Sequence, residues 1–164
     1  MNRSLLLATS LLVLGSLNWL IIAKERVLSS GRTVLCELAP VDPRSIMQGD
    51  YMTLRYRIAD DAAKHVPANT FDGHLILKLN ADDVASFQRL DDSEPLADDE
   101  VRIRFRRRHS GSWMRDALRI GAESYFFQEG RGDHFAKARY GELKVAPSGE
   151  CILVGLRDAA KKRL

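Results

Sequence analysis

Residues Ser4 to Ala23 form a run of twenty without a charged side chain, dominated by Leu5, Leu6, Leu7, Leu11, Leu12, Val13, Leu14, Leu17, Leu20, Ile21 and Ile22. As a helix this run is roughly 30 Å long, the thickness of a bilayer's hydrocarbon core. Trp19 falls near one end, where an indole suits the headgroup region, and Lys24, Glu25 and Arg26 mark the exit into water. A cleaved secretory signal has a shorter apolar region, of about 7–15 residues, and a small-residue cleavage site. Ile21-Ile22-Ala23 is a marginal substitute for such a site, so residues 4–23 are read as an uncleaved transmembrane signal anchor. Residues 1–3 then form a cytoplasmic N-terminus, and residues 24–31 a juxtamembrane linker that continues as helix to a stop at Gly31. Arg3 flanks one end of the run and Lys24 and Arg26 the other, so flanking charge leaves the direction of insertion undecided.

A chain of 164 residues with such an anchor has room for one further core. The rest of the sequence is punctuated into short segments. Thr33 to Leu38 is apolar and β-compatible, and Pro40-Val41-Asp42-Pro43 reads as a stiff connector. From Tyr51 to Ile58 the pattern alternates, with Met52, Leu54, Tyr56 and Ile58 on one face. Leu75, Leu77 and Leu79 repeat it, Val84 to Leu90 is a weaker strand, and Val101, Ile103 and Phe105 alternate with Arg102, Arg104 and Arg106. A further strand is predicted over Leu118 to Phe127, then a short helix capped by Asp133. A final hairpin, Glu142 to Ala146 with Cys151 to Leu156, closes at Pro147-Ser148-Gly149. The predicted fold class is mostly β with one short helix, a small antiparallel sandwich or open barrel over residues 32–157, preceded by the transmembrane helix. Residues 158–164 are predicted to be a polar tail that frays.

Charge restricts function more by its layout than by its total. The net charge is only +3, yet seven arginines crowd into Val101 to Arg119 against one acid, Asp116. The preceding stretch, Asp82 to Glu100, holds eight acids against Arg89. Neighbouring antiparallel strands of opposite sign neutralise each other, and this self-compensating face is the leading reading. The competing one is binding of anionic lipid headgroups through Arg102, Arg104, Arg106 and Arg108. Nucleic acid is not an expected partner.

Candidate chemistry is sparse. Cys36 and Cys151 are the only cysteines, too few for a disulfide scaffold or a four-ligand zinc site. They read either as two separate buried thiols or as one long-range disulfide. His65, His74, His109 and His134 lack metal-ligand spacing, so no metal and no cofactor is expected. Arg131-Gly132-Asp133 reads as a turn before a helix. Ser45 with Lys64 as base, or the carboxylates Asp42 and Asp50, would make an envelope hydrolase, the minority functional reading.

The most specific signature is Gly49-Asp50-Tyr51-Met52-Thr53-Leu54-Arg55-Tyr56. Here the sequence resembles the bacterial GDYXXLXY protein family, and the resemblance extends upstream through Lys24-Glu25, Gly31 and Ala39 to Arg44. Downstream it runs through Glu123, Tyr125-Phe126 and Glu129-Gly130 to the final hairpin. It implies an N-terminal membrane segment, a domain outside the cytoplasm on the inner membrane, and genes beside multi-pass membrane proteins. It brings no catalytic assignment. Gly49, Asp50, Tyr51, Leu54 and Tyr56 read first as a fold-defining turn and strand. As a function, Asp42, Arg44, Asp50 and Tyr51 would gather at one rim of the domain to meet a ligand or partner. The expected role is a non-enzymatic accessory module that partners an integral membrane protein.

Overall fold

The computed structural model of the chain describes residues 3–39, 47–48, 51–108 and 117–164. The apolar run forms helix α1, Arg3–Ser30, which continues unbroken through the charged exit to Gly31. Its span Leu7–Ser30 has a mean hydropathy of 1.6 and is long and apolar enough to cross a membrane.

Among the described residues ten strands follow: β1 Arg32–Glu37, β2 Met47–Gln48, β3 Tyr51–Thr53, β4 Asp72–Leu79, β5 Val84–Leu90, β6 Glu100–Arg108, β7 Ala117–Arg119, β8 Ser124–Phe126, β9 Tyr140–Val145 and β10 Cys151–Arg157. Seven of them make one sheet, in the order β10-β9-β1-β5-β4-β6-β7, and β2-β3-β8 make a second. The domain is mostly sheet, and the large sheet curls into a half-barrel. Its pairings are antiparallel except β1 with β5, which run parallel with Leu35 opposite Val84. That one parallel neighbour departs from the all-antiparallel expectation. It arises because β2, β3, a short helix at Arg57–Ala63 and β4 intervene between the two strands, a connection long enough to return the chain in the same direction.

The curl buries one face. Val34, Cys36, Leu75, Leu77, Ile103, Phe105, Leu143 and Leu156 meet Met52, Leu54 and Tyr56 in a single core. The predicted alternation from Met52 to Ile58 is right about burial, since all four apolar side chains are buried, but wrong about the backbone. The strand ends at Thr53, and a short helix α2, Arg57–Ala63, follows, adding a second helix to the domain. Ile58, Ala59 and Ala62 form its buried stripe and Asp60 lies in its first turn, spacing that suits a helix facing the core. The predicted strand over Leu118 to Phe127 is likewise split, into β7 and β8, with Gly121 at φ +86° between them. Helix α3, Gly132–Phe135, starts two residues before its predicted cap allows: Arg131 is the N-cap, and Asp133 lies in the first turn. Gly130, at φ +81°, turns the chain early enough to shift the cap.

The predicted hairpin of β9 and β10 is present, with Gly149 at φ +85° in its turn. The closing residues do not fray. Leu164 donates its backbone N–H to Leu156 at 3.0 Å, Lys161 pairs with Asp82 at 2.6 Å, and Arg163 donates to the carbonyl of Val154, the extra residue at the β10 bulge. This segment covers the outer edge of β10, a position where an unpaired strand would otherwise expose its polar groups.

Candidate functional site

The arginine-rich strand separates into two halves once its partners are seen. On the first, Ile76 of β4 is fully buried on the outer face because Arg89 and Arg102 flank it in register and lay their stems over it. Their heads are neutralised by the acidic segment: Arg102 to Asp91 at 2.7 Å, and Arg89 to Asp92 at 2.7 Å and to Glu100 at 3.2 Å. The self-compensating reading holds here. Arg107 points differently, donating to the backbone carbonyls of Val66, Pro67 and Thr70 and thereby fixing the α2–β4 connection.

The second half is not compensated. Arg106 of β6 stands directly opposite Arg119 of β7, with both side chains exposed on the same face. Among the described residues neither has an acidic group within ion-pair distance, and Arg104 reaches Asp72 only at 3.7 Å, with both groups well exposed. These three arginines line a cavity of about 580 Å³ at the seam where the half-barrel fails to close, between β6–β7 on one side and the β9–β10 turn on the other. The turn is pinned across the seam by the backbone N–H of Arg104, which donates to Gly149 at 2.8 Å, while the Cys151 thiol lies 3.2 Å from the carbonyl of Ile120. Lys24 of α1 completes the wall.

The cavity's two carboxylates are already engaged. Glu123 accepts the backbone N–H groups of Ile120 and Gly121 at 2.6 and 3.1 Å, and Glu150 pairs with Lys24 at 3.4 Å. Burial pushes the Cys151 thiol up to about 12, so it is neutral at physiological pH and supplies no nucleophile. Cys36 is raised too, chiefly by complete burial. Both are free thiols. Cys36 pairs with Gly141 and Cys151 with Val145, which puts them near opposite ends of β9, and the disulfide alternative gives way.

Of the signature's described residues, Leu54 and Tyr56 are buried in the core and none lines this cavity. Tyr56 is 1% exposed and donates its hydroxyl to the carbonyl of Ala122 at 2.6 Å, with its ring against Gly141. Leu54 is buried, and its N–H donates to Glu123 at 2.7 Å. Tyr51 sits on the smaller sheet, half-buried, its ring 5.8 Å from that of Phe126. The profile of the GDYXXLXY protein family matches residues 13–156. The chain belongs to the GDYXXLXY family. No curated protein and no solved structure matches it. In this GDYXXLXY protein the signature's Leu54 and Tyr56 tie the start of α2 to the β7–β8 turn, which in turn forms one wall of the seam.

Of the residues singled out from the sequence, Asp42, Arg44, Ser45, Gly49, Asp50 and His109 lie outside the described residues, as does the side chain of Arg108. Tyr51 is described and does not line the cavity. Lys64, the imagined base, is exposed and paired with Asp61 at 2.8 Å. His65 packs on Phe87, His74 lies against Gly149 and His134 meets Phe135 edge-on. Among the described residues no cluster of three His, Cys, Asp or Glu is placed to hold a metal ion. Lys24, Arg119, Glu123 and Glu150 were missed as site residues. The available signal was the clustering of arginine from Val101 to Arg119, which pointed to Arg104 and Arg106 but not to their neighbours across the seam.

Proposed function

We propose that this GDYXXLXY protein is a single-pass accessory module of the bacterial inner membrane, its domain on the periplasmic side, non-enzymatic and acting with an integral membrane partner. The observation that carries the reading is the junction between anchor and domain. Helix α1 enters β1 with no linker: Val27 is buried, Gly31 lies where a Cβ would meet the backbone of Val145, and Lys144 donates to the carbonyl of Gly31 at 3.3 Å. The Lys24 to Glu150 pair adds a contact one turn lower. A domain joined this way cannot swing out on a tether, so what it serves lies at the membrane surface or within the bilayer.

Two further features favour a membrane-embedded partner. Ser4, Ala8, Gly15 and Asn18 fall along one stripe of the apolar helix, the small and amide-bearing composition that lets a second helix approach. On the domain, Phe126 is 73% exposed beside Tyr51. A membrane-impermeant amine crosslinker applied to intact cells tests the proposal: the expected product is a covalent adduct between this chain and an integral membrane protein. A chain that stays monomeric, or that reacts only after lysis, overturns it.

A further inference from the structure

Among the described residues the Arg106–Arg119 pair has no counter-ion. Directly opposed residues on antiparallel strands have Cα atoms roughly 4.5–5.5 Å apart, and like charges in that position cost stability. Elsewhere on this sheet the half-buried Arg89 and Arg102 are each given a carboxylate. At the seam the pattern stops: Arg104, Arg106 and Arg119 converge on one cavity whose carboxylates are spent on Lys24 and on backbone N–H groups. Among the described residues no carboxylate is placed to pair with Arg106 or Arg119, which leaves the pair open to an anion from outside the chain.

We propose that the seam cavity binds a phosphate group, held by Arg106 and Arg119 with Arg104 and Lys24 contributing charge. Two guanidinium forks side by side discriminate among anions. A carboxylate has two oxygens and saturates one fork, whereas a tetrahedral phosphate presents oxygens to both at once. The cavity, at about 580 Å³, is larger than phosphate alone and accommodates an attached glycerol or sugar. Lys24 is the first charged residue after the apolar run, so the cavity's wall begins where the hydrocarbon ends. This placement rests on the membrane-anchored reading above, and it allows the phosphate to come from a lipid headgroup or from a soluble phosphate compound.

The test uses the full chain in phosphatidylcholine nanodiscs, compared with nanodiscs containing phosphatidylglycerol, and with phosphatidylcholine nanodiscs plus inorganic phosphate or glycerol 3-phosphate. The variant is Arg106→Gln with Arg119→Gln, and Lys137→Gln with Arg139→Gln, both exposed and off the cavity wall, is a charge-matched control. Thermal unfolding followed by circular dichroism gives a readout that a purely structural role would move the other way. The wild type gains about 2–4 °C with the bound anion. The double arginine variant starts from a higher Tm, because the repulsion is gone, and loses the response, while the control keeps it. A response to phosphatidylglycerol alone assigns the lipid source, and one to the soluble phosphates assigns a soluble ligand; both support the site. No stabilisation by any of the three, or equal stabilisation of wild type and arginine variant, overturns it. Crosslinking to a membrane partner is read separately, so either proposal fails without the other.

Discussion

Tyr56 shows how one side chain of the family signature contributes. Its ring fills the space over Gly141, where a Cβ would come within 2.9 Å of the ring, and its hydroxyl satisfies the carbonyl of Ala122 from inside the core. Burial pushes the phenol well above its usual range, which favours the protonated hydroxyl that donates this bond. Tyr56→Phe keeps the packing and strands that carbonyl, which costs about 1–2 kcal/mol and is measurable by denaturant unfolding of the detergent-solubilised chain; an unchanged midpoint would show that water or the backbone replaces the bond. The alternation of apolar residues from Met52 to Ile58 already marked Tyr56 as inward. Its acceptor was not legible, because Ala122 lies far along the chain and only the fold brings the two together.

At the scale of elements, the β9–β10 hairpin does most to shape the seam, and one ion pair holds its base. Glu142 is buried and receives Arg157 in a two-pronged contact at 3.0 Å on each oxygen. Hydrogen bonding from Arg157 holds the Glu142 carboxyl below its usual range, outweighing the upward push of burial, and the same bond raises Arg157. A carboxyl whose folded pKa is depressed contributes stability above its unfolded value of about 4.3, and loses it as pH falls through the folded value. Glu142→Gln is therefore expected to destabilise the protein by roughly 2 kcal/mol at pH 7, with the gap from wild type closing as the buffer is taken below about pH 4. A gap that is constant with pH would place the effect in packing instead. The hairpin and its turn were readable from Pro147-Ser148-Gly149 and the alternation around it. Helix α2 was not, because Ile58 continues the period-two pattern of the strand before it, and seven residues are too few for a helical period to assert itself.

For the whole molecule the junction at Gly31 is the test of whether anchor and domain are one body. A Cβ at this position would lie 2.3 Å from the Val27 carbonyl oxygen and 3.2 Å from the backbone of Val145. Neither is a flexible side-chain tip, so Gly31→Ala must part the helix from β9. The expected result is a chain that becomes sensitive to protease between residues 24 and 32, and that, on the proposed function, crosslinks less to a membrane partner. Unchanged protease resistance would mean that the junction does not hold the domain in place. The long apolar helix, the mostly β fold and the family were determined by sequence alone, since hydropathy, period-two alternation and the Gly49 to Tyr56 signature are local properties of the chain. Tertiary structure decided which arginines are spent. Arg102 and Arg104 are indistinguishable as letters, yet strand register gives one Asp91 at 2.7 Å and leaves the other at the open seam. Charge is a property of residues, but its neutralisation depends on distances that only the curled sheet sets.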